Sequence, residues 1–166
     1  MKFILIGFMG SGKSTVGKQL AAQLQLPFTD SDAWIEEQSA ISVSRMFELE
    51  GESVFRDWEQ RFVDQLDEKD EVISCGGGLP CFNNLLESLK EKGRVVYLKT
   101  SIETLTHRLK DEREDRPLVA SIPDETFTKE ITARLSSREP IYLQADVVIE
   151  TDRKTVEEIV NEIAEF

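Results

Sequence analysis

Gly7-Phe8-Met9-Gly10-Ser11-Gly12-Lys13-Ser14 matches G-x-x-x-x-G-K-[ST] at every fixed position, and no other stretch constrains the fold of this chain so strongly. Glycines let such a loop turn tightly and bring backbone N–H groups against phosphate oxygens, while the following helix adds the positive end of its dipole. Lys13 is placed to reach the β- and γ-phosphates as a point charge, and the Ser14 hydroxyl is a ligand for Mg²⁺. The loop needs a buried strand before it and an amphipathic helix after it. Both are legible: residues 3–6 are a continuous apolar run, and Val16, Leu20, Ala21 and Leu24 recur at helical spacing until Pro27. An ordinary glycine-rich strand-to-helix turn is disfavoured in that context. The motif establishes binding of a nucleoside triphosphate and leaves open what the phosphate is transferred to.

The rest of the chain repeats the strand–helix alternation. Residues 27–30 read as a short second strand ending at Asp30, and helical pattern then dominates to about Leu66. Strands follow at 71–74, leading into three glycines, at 94–98 and at 146–149. Helices are expected over 102–110, over 124–138 and from Lys154 onward. Residues 111–115 are so charged that they offer no face for packing and read as a solvated, mobile segment. Short apolar strands alternating with helices call for a parallel sheet covered on both faces, in one domain spanning 1–166.

Composition narrows the function. A net charge of −12 makes nucleic acid and anionic membrane surfaces poor partners, so any anion site must gather its few basic residues locally. No apolar run approaches the roughly 20 residues of a membrane span, and the apolar opening is too short for a secretion signal, which points to the cytoplasm. Cys75 and Cys81 read as reduced thiols, and a single histidine, His107, argues against histidine-based catalysis or a zinc site.

Four further constellations stand beside the loop. Asp30 and Asp32 lie at the carboxyl end of the second strand, where open α/β sheets bind ligands; residues two apart in an extended chain face the same way. Asp30 suits the hydration shell of Mg²⁺, and Asp32 suits the orientation or deprotonation of an attacking hydroxyl, but Asp32 or Ser31 could equally cap the helix starting near Ala33. Arg56 and Glu59 share a helix face, so the carboxylate can hold a guanidinium ready for an anionic substrate; a surface ion pair is the plainer alternative. Gly76-Gly77-Gly78 after a strand is more than a turn needs and indicates close backbone approach. Arg116, in Arg116-Pro117-Leu118, could close over phosphates, and Arg138 ends a helix, where any cation is favourable; each has a plain surface role as its rival.

Taken together, these motifs resemble the shikimate kinases, a branch of the nucleoside monophosphate kinase-like P-loop proteins. The resemblance covers nearly the whole chain, in order: the loop at 7–15, D-x-D at Asp30 and Asp32, G-E-x-x-F-R at 51–56, the glycines 76–78, R-P-L at 116–118 and R-x-P-[LI]-Y at 138–142. It implies a three-layer α/β/α fold with five parallel strands ordered 2-3-1-4-5, a substrate-binding helical segment at about 31–60 and a lid at about 111–121. It implies ATP contacts from Gly10, Ser11, Gly12, Lys13, Ser14 and Thr15, with Arg108 on the adenine side of the lid and Arg153 beside adenine. Shikimate would be held by Asp32, Arg56, Gly77, Gly78 and Arg138. Lys13, Asp32 and Arg116 would be catalytic, Ser14 and (through water) Asp30 would hold Mg²⁺, and the enzyme would be a monomer.

The residues exclude some rivals. A GTPase switch would need N-K-x-D and an Asp-x-x-Gly after a strand, and neither is present. Kinases of gluconate or of a nucleoside monophosphate are the enzymatic alternatives, and G-E-x-x-F-R with the triple glycine favours shikimate. A binding module that has lost catalysis predicts damage at Lys13, Ser14, Asp32 or Arg116, and all four are intact.

Overall fold

Alternate residues of the first strand, β1 (Lys2–Ile6), enter two different cores: Ile4 and Ile6 one, Phe3 and Leu5 the other. A strand buried on both faces in this way belongs at the centre of a parallel sheet. The computed structural model, which describes residues 1–113 and 117–166, places it there. Five parallel strands run in the order β2-β3-β1-β4-β5, as expected, with β2 (Phe28–Asp30), β3 (Glu71–Ser74), β4 (Arg94–Lys99) and β5 (Val147–Glu150).

One face carries α1 (Lys13–Leu24) and α9 (Val156–Ala164), whose Val16, Leu20, Val160 and Ile163 pack on Phe3, Leu5, Val72 and Val96. The other face carries α4 (Glu52–Asp64), α5 (Leu85–Lys92), α6 (Ile102–Asp111) and α8 (Phe127–Tyr142) around Ile4, Ile6, Ile73 and Tyr97. Two further helices, α2 (Ser31–Ser39) and α3 (Val43–Leu49), join α4 in a small core of their own around Ile35, Met46 and Phe55. Trp34 touches both this core and the main one, and meets Phe62 edge-on at 5.4 Å between ring centroids. The helical segment is thereby fastened to the sheet. No helix among the described residues is long and apolar enough to cross a membrane.

Three sequence expectations change. Between the triple glycine and β4 lies α5, whose Leu85, Leu86 and Leu89 are buried at helical spacing and were not read as a helix. The charged stretch from 111 is not wholly solvated. Asp111 ends α6, and Arg113 lays its guanidinium over the Phe127 ring at 4.4 Å while donating to Asp124 at 2.5 Å; a planar cation packs on an aromatic face without losing all of its hydrogen bonds. Beyond the undescribed positions a short helix, α7 (Pro117–Ala120), follows. Finally, α8 runs past Pro140 to Tyr142, so Arg138 lies inside the helix instead of ending it, and a helix-end role does not account for it.

Leu20 is fully buried on the helix that carries Lys13. Leu20→Ala is expected to cost about 2–5 kcal/mol, because the packed sheet and α9 cannot collapse into the gap. Urea unfolding measures this, and a loss below about 1 kcal/mol would show that α1 is not held as described.

Candidate active site

Gly10 and Gly12 take φ of +82° and +92°, backbone that disfavours side chains, and Gly12 leads directly into α1. The turn opens a cleft of about 380 Å³ along residues 9–16, with Asp30, Asp32, Ser74 and Gly76 across from it. Gly10, Ser11, Gly12, Lys13, Ser14 and Thr15 all line this cleft. Lys13 is buried, with Nζ donating to the Phe8 carbonyl at 2.9 Å, which folds its ammonium back over the loop.

Asp30 has two tasks, one per carboxylate oxygen. Its Oδ1 accepts from the backbone N–H groups of Asp32 and Ala33 and so caps α2, and its Oδ2 accepts from the Ser14 hydroxyl at 2.9 Å. Neither Asp32 nor Ser31 is the cap. Ser31 instead accepts from Gly76 N–H at 2.8 Å. Asp32, in the first turn of α2 and not in extended chain, is left to face the cleft. Its Oδ1 is buried and has no hydrogen-bond partner among the described residues. Burial, with the nearby Asp30 charge, pushes its carboxyl up to about 6, against the pull of Lys13.

Ser14, Asp30 and Ser74 cluster their oxygens at one end of the cleft, with the Ser14 and Ser74 hydroxyls 3.4 Å apart. A hydroxyl and a carboxylate beside a phosphate loop form the hard-oxygen donor set that Mg²⁺ prefers.

The triple glycine carries the other half of the site. None of the three takes positive φ, so their backbone conformation does not demand glycine. Space does. A Cβ on Gly76 would stand 2.7 Å from Asp32 Oδ1, one on Gly77 would press on the phosphate-loop backbone at Met9 N, 3.3 Å away, with Arg138 Nη1 in ordinary contact at 3.6 Å, and one on Gly78 would stand 2.6 and 2.8 Å from the two Nη atoms of Arg56. The close approach anticipated for a ligand is also an approach of two charged side chains and of the phosphate loop. At Gly78 the Nη atoms are nearer than Cζ, at 3.1 Å, so the added carbon would sit against the outer N–H edge of the guanidinium and block it.

Arg56 is held in place from behind. Its Nη1 donates to Glu59 at 2.6 Å, and its Nε and Nη2 share Glu52 Oε1 at 3.3 and 3.0 Å. Glu59 is almost fully buried, which raises its carboxyl, while the Arg56 charge pulls it back. This pair is not the exposed i, i+3 contact the sequence allowed; removing either partner would strand a buried charge. Arg56 and Arg138 line a second cavity of about 450 Å³, and Met9 lines both cavities, so the two are adjacent. The Tyr142 hydroxyl donates to the Gly77 carbonyl at 2.5 Å, fixing the middle of the glycine run.

Arg108, on α6, lines the first cleft and donates to the Gly10 carbonyl at 3.0 Å. Arg153 is exposed and does not line it; its neighbour Lys154 does, tied to Glu162. Arg116 lies outside the described residues. Sequence reasoning also missed Arg134, one turn before Arg138 on α8, and Phe82, both on the second cavity. The i, i+4 spacing of the two arginines was a usable signal; for Phe82 there was none.

A family model described as shikimate kinase matches residues 9–166. The shikimate kinase of Persephonella marina is 42% identical over 160 residues, which cover 96% of this chain and 94% of the relative. The crystal structure of shikimate kinase from Bacteroides thetaiotaomicron is similar with a TM-score of 0.91 at 33% identity, covering 99% of this chain and 97% of that one. Shikimate kinase from Acinetobacter baumannii in complex with shikimate gives 0.89 at 33% identity, with 99% and 90% covered.

The raised Asp32 carboxyl has a consequence for stability. Between its ordinary value of 3.8 and about 6 the folded state holds a proton that the unfolded chain has lost, so stability falls as pH rises and the full penalty stands above about 6. Asp32→Asn is therefore expected to be more stable than the parent at pH 8, by about 1–3 kcal/mol, with the gain fading toward pH 4. Urea midpoints across that range test it, and equal stability at pH 8 would contradict the buried charge.

Proposed function

The chain belongs to the shikimate kinase family, and we propose that its two adjoining cavities perform that family's reaction through the side chains gathered on the triple glycine. The reaction is ATP-dependent phosphorylation of the 3-hydroxyl of shikimate, giving shikimate 3-phosphate and ADP on the route to chorismate and the aromatic amino acids. The observation that carries the assignment of roles is the close approach of Asp32 to Gly76 and of Arg56 to Gly78, with Gly77 against the phosphate loop between them and Arg138 beside Arg56 on the second cavity.

ATP occupies the first cleft. The N–H groups of residues 10–15 receive its phosphates, and Lys13 swings from the Phe8 carbonyl to the β- and γ-phosphates. Arg108 and Lys154 flank the adenosine side, and Arg153 is assigned to adenine on the family resemblance. Ser14 and, through water, Asp30 would hold Mg²⁺. When bound, that ion supplies positive charge to the phosphate oxygens. Shikimate occupies the second cavity, its carboxylate on Arg56 and Arg138 and its ring against the backbone of Gly77 and Gly78. The Asp32 carboxylate is the acceptor for the reacting hydroxyl: the residue lines the cleft, and its buried Oδ1 has no hydrogen-bond partner among the described residues. With a pKa near 6 the group is ionised at neutral pH yet a better base than an ordinary aspartate, so it can orient the hydroxyl and take its proton as the phosphoryl group departs. Arg116 is assigned to the transferring phosphoryl charge on the family resemblance, as are the substrate segment at about 31–60 and the lid at about 111–121.

The enzyme is proposed to work as a cytoplasmic monomer with no nucleic-acid or membrane partner. Its charge of −12 supports that reading, since basic residues cluster at the site.

A coupled assay of ADP release with Mg²⁺-ATP, comparing shikimate, gluconate and AMP at equal concentration, is expected to show turnover with shikimate alone. Asp32→Ala is expected to lower kcat by about 10²-fold or more while ATP affinity holds, and a matching collapse of ATP binding would refute its role. Arg56→Ala raises KM for shikimate; an unchanged KM would remove Arg56 from the carboxylate site.

Gly78→Ala tests the space argument. The new methyl blocks the N–H edge of Arg56, so KM for shikimate is expected to rise about tenfold or more with KM for ATP unmoved. Wild-type KM in a folded Gly78→Ala enzyme would show that the edge is not where the carboxylate binds.

A further inference from the structure

Glu52 and Glu59 bind Arg56 through its N–H groups, and hydrogen bonds of that kind fix how the guanidinium is turned within its own plane. They do less to fix the plane itself, because a carboxylate tolerates tilt about the N–H···O axis. Phe82 supplies that constraint. Its ring lies beneath the guanidinium with Arg56 Cζ 3.8 Å from the centroid, well inside the range of a stacked cation–π contact. Phe55, by comparison, is at 5.3 Å.

The loop that carries Phe82 is stiff. After Gly78 a single turn of 3-10 helix (Leu79–Cys81) closes with Cys81 N–H on the Gly78 carbonyl at 2.9 Å. Leu79 and Pro80 are buried, and the Phe82 carbonyl then accepts from the N–H of buried Leu85 at 3.0 Å. One short loop thus meets Arg56 twice, with Gly78 putting no side chain against the outer N–H edge and Phe82 covering a face. Phe82 and Arg56 both line the second cavity. With one face covered and the other N–H sides held by Glu52 and Glu59, the outer edge is the part of the guanidinium that no side chain takes up in these contacts.

We infer that Phe82 is a positioning residue for the acceptor carboxylate, its ring holding Arg56 in the orientation that presents the free N–H edge to the cavity. This rests on the reading of that cavity as the shikimate site. Pre-ordering a cation on an aromatic face lowers the cost of arranging it when the substrate arrives. The contribution falls on ground-state and transition-state binding alike, because the carboxylate does not react.

Steady-state kinetics of Phe82→Leu and Phe82→Tyr, each alone and with Arg56→Ala, test the inference. Phe82→Leu keeps an apolar side chain and loses the ring; KM for shikimate is expected to rise between about threefold and thirtyfold. Uniform loss of binding leaves kcat within about twofold and KM for ATP unmoved. Phe82→Tyr restores KM, and Phe82→Leu adds nothing once Arg56 is alanine. KM unmoved by Phe82→Leu, in an enzyme where Arg56→Ala does raise it, would overturn the inference and leave the function standing. A fall in kcat with both KM values raised, and no rescue by tyrosine, would make Phe82 a structural residue of the loop and also overturn it. A parent protein inert toward shikimate would defeat the functional reading and this inference together. In that case a ring-current-shifted Arg56 Nε–H, lost in Phe82→Leu, would still decide the stacking itself.

Discussion

Parallel pairing of β1 with β3 sets Leu5 opposite Ser74, and the Cys75 N–H then donates to the Leu5 carbonyl at 3.0 Å. That ladder brings two glycine-rich turns, 64 residues apart from Gly12 to Gly76, side by side at the carboxyl edge of the sheet. In an open α/β sheet this is the position where strand order reverses and a crevice forms. The phosphate loop lies on one side, the triple glycine on the other, and Met9 lines both cavities between them. In-line transfer needs donor and acceptor in contact, and one backbone ladder provides the contact before any side chain is considered.

Around that edge an acidic protein has concentrated its opposite charges. Arg56 is paired from behind with Glu52 and with buried Glu59, which holds its guanidinium in place. Asp32 is buried without a partner for one of its oxygens among the described residues, which is unfavourable for folding and fits the proton-accepting role proposed for it. Gly76 and Gly78 serve the two ends of this arrangement, because a side chain there would occupy space that Asp32 and the Arg56 edge require, while one at Gly77 would press on the phosphate loop. The core on either face of the sheet is ordinary close packing by comparison.

Much of this was legible from the chain alone, for particular reasons. Residues 3–6 had to be a buried strand because nothing in them is polar, and Gly10, Gly12 and Lys13 sit where a phosphate loop requires them. The reading of Asp30 and Asp32 named the right pair for the cleft and the wrong cap: propensity allows Asp32 or Ser31 to cap a helix, and only the backbone path gives that task to Asp30. The sequence pattern puts Arg138 at a helix end, yet α8 tolerates Pro140 and carries Arg138 inside it. Arg113 was read as solvated because its neighbours are charged; it is Phe127, distant in sequence, that gives it a surface to pack on.

The sequence by itself determined the period of the strands, the phosphate loop and the order of the motifs, since each rests on residues close together in the chain. Tertiary structure decided what each glycine of the triple is for, which carboxylate stays free, and that Phe82 covers Arg56. These are contacts between elements brought together by folding, 26 positions apart for Arg56 and Phe82 and 44 for Asp32 and Gly76. No local pattern encodes a distance between side chains on different elements; packing sets it, and the chemistry of the site depends on it.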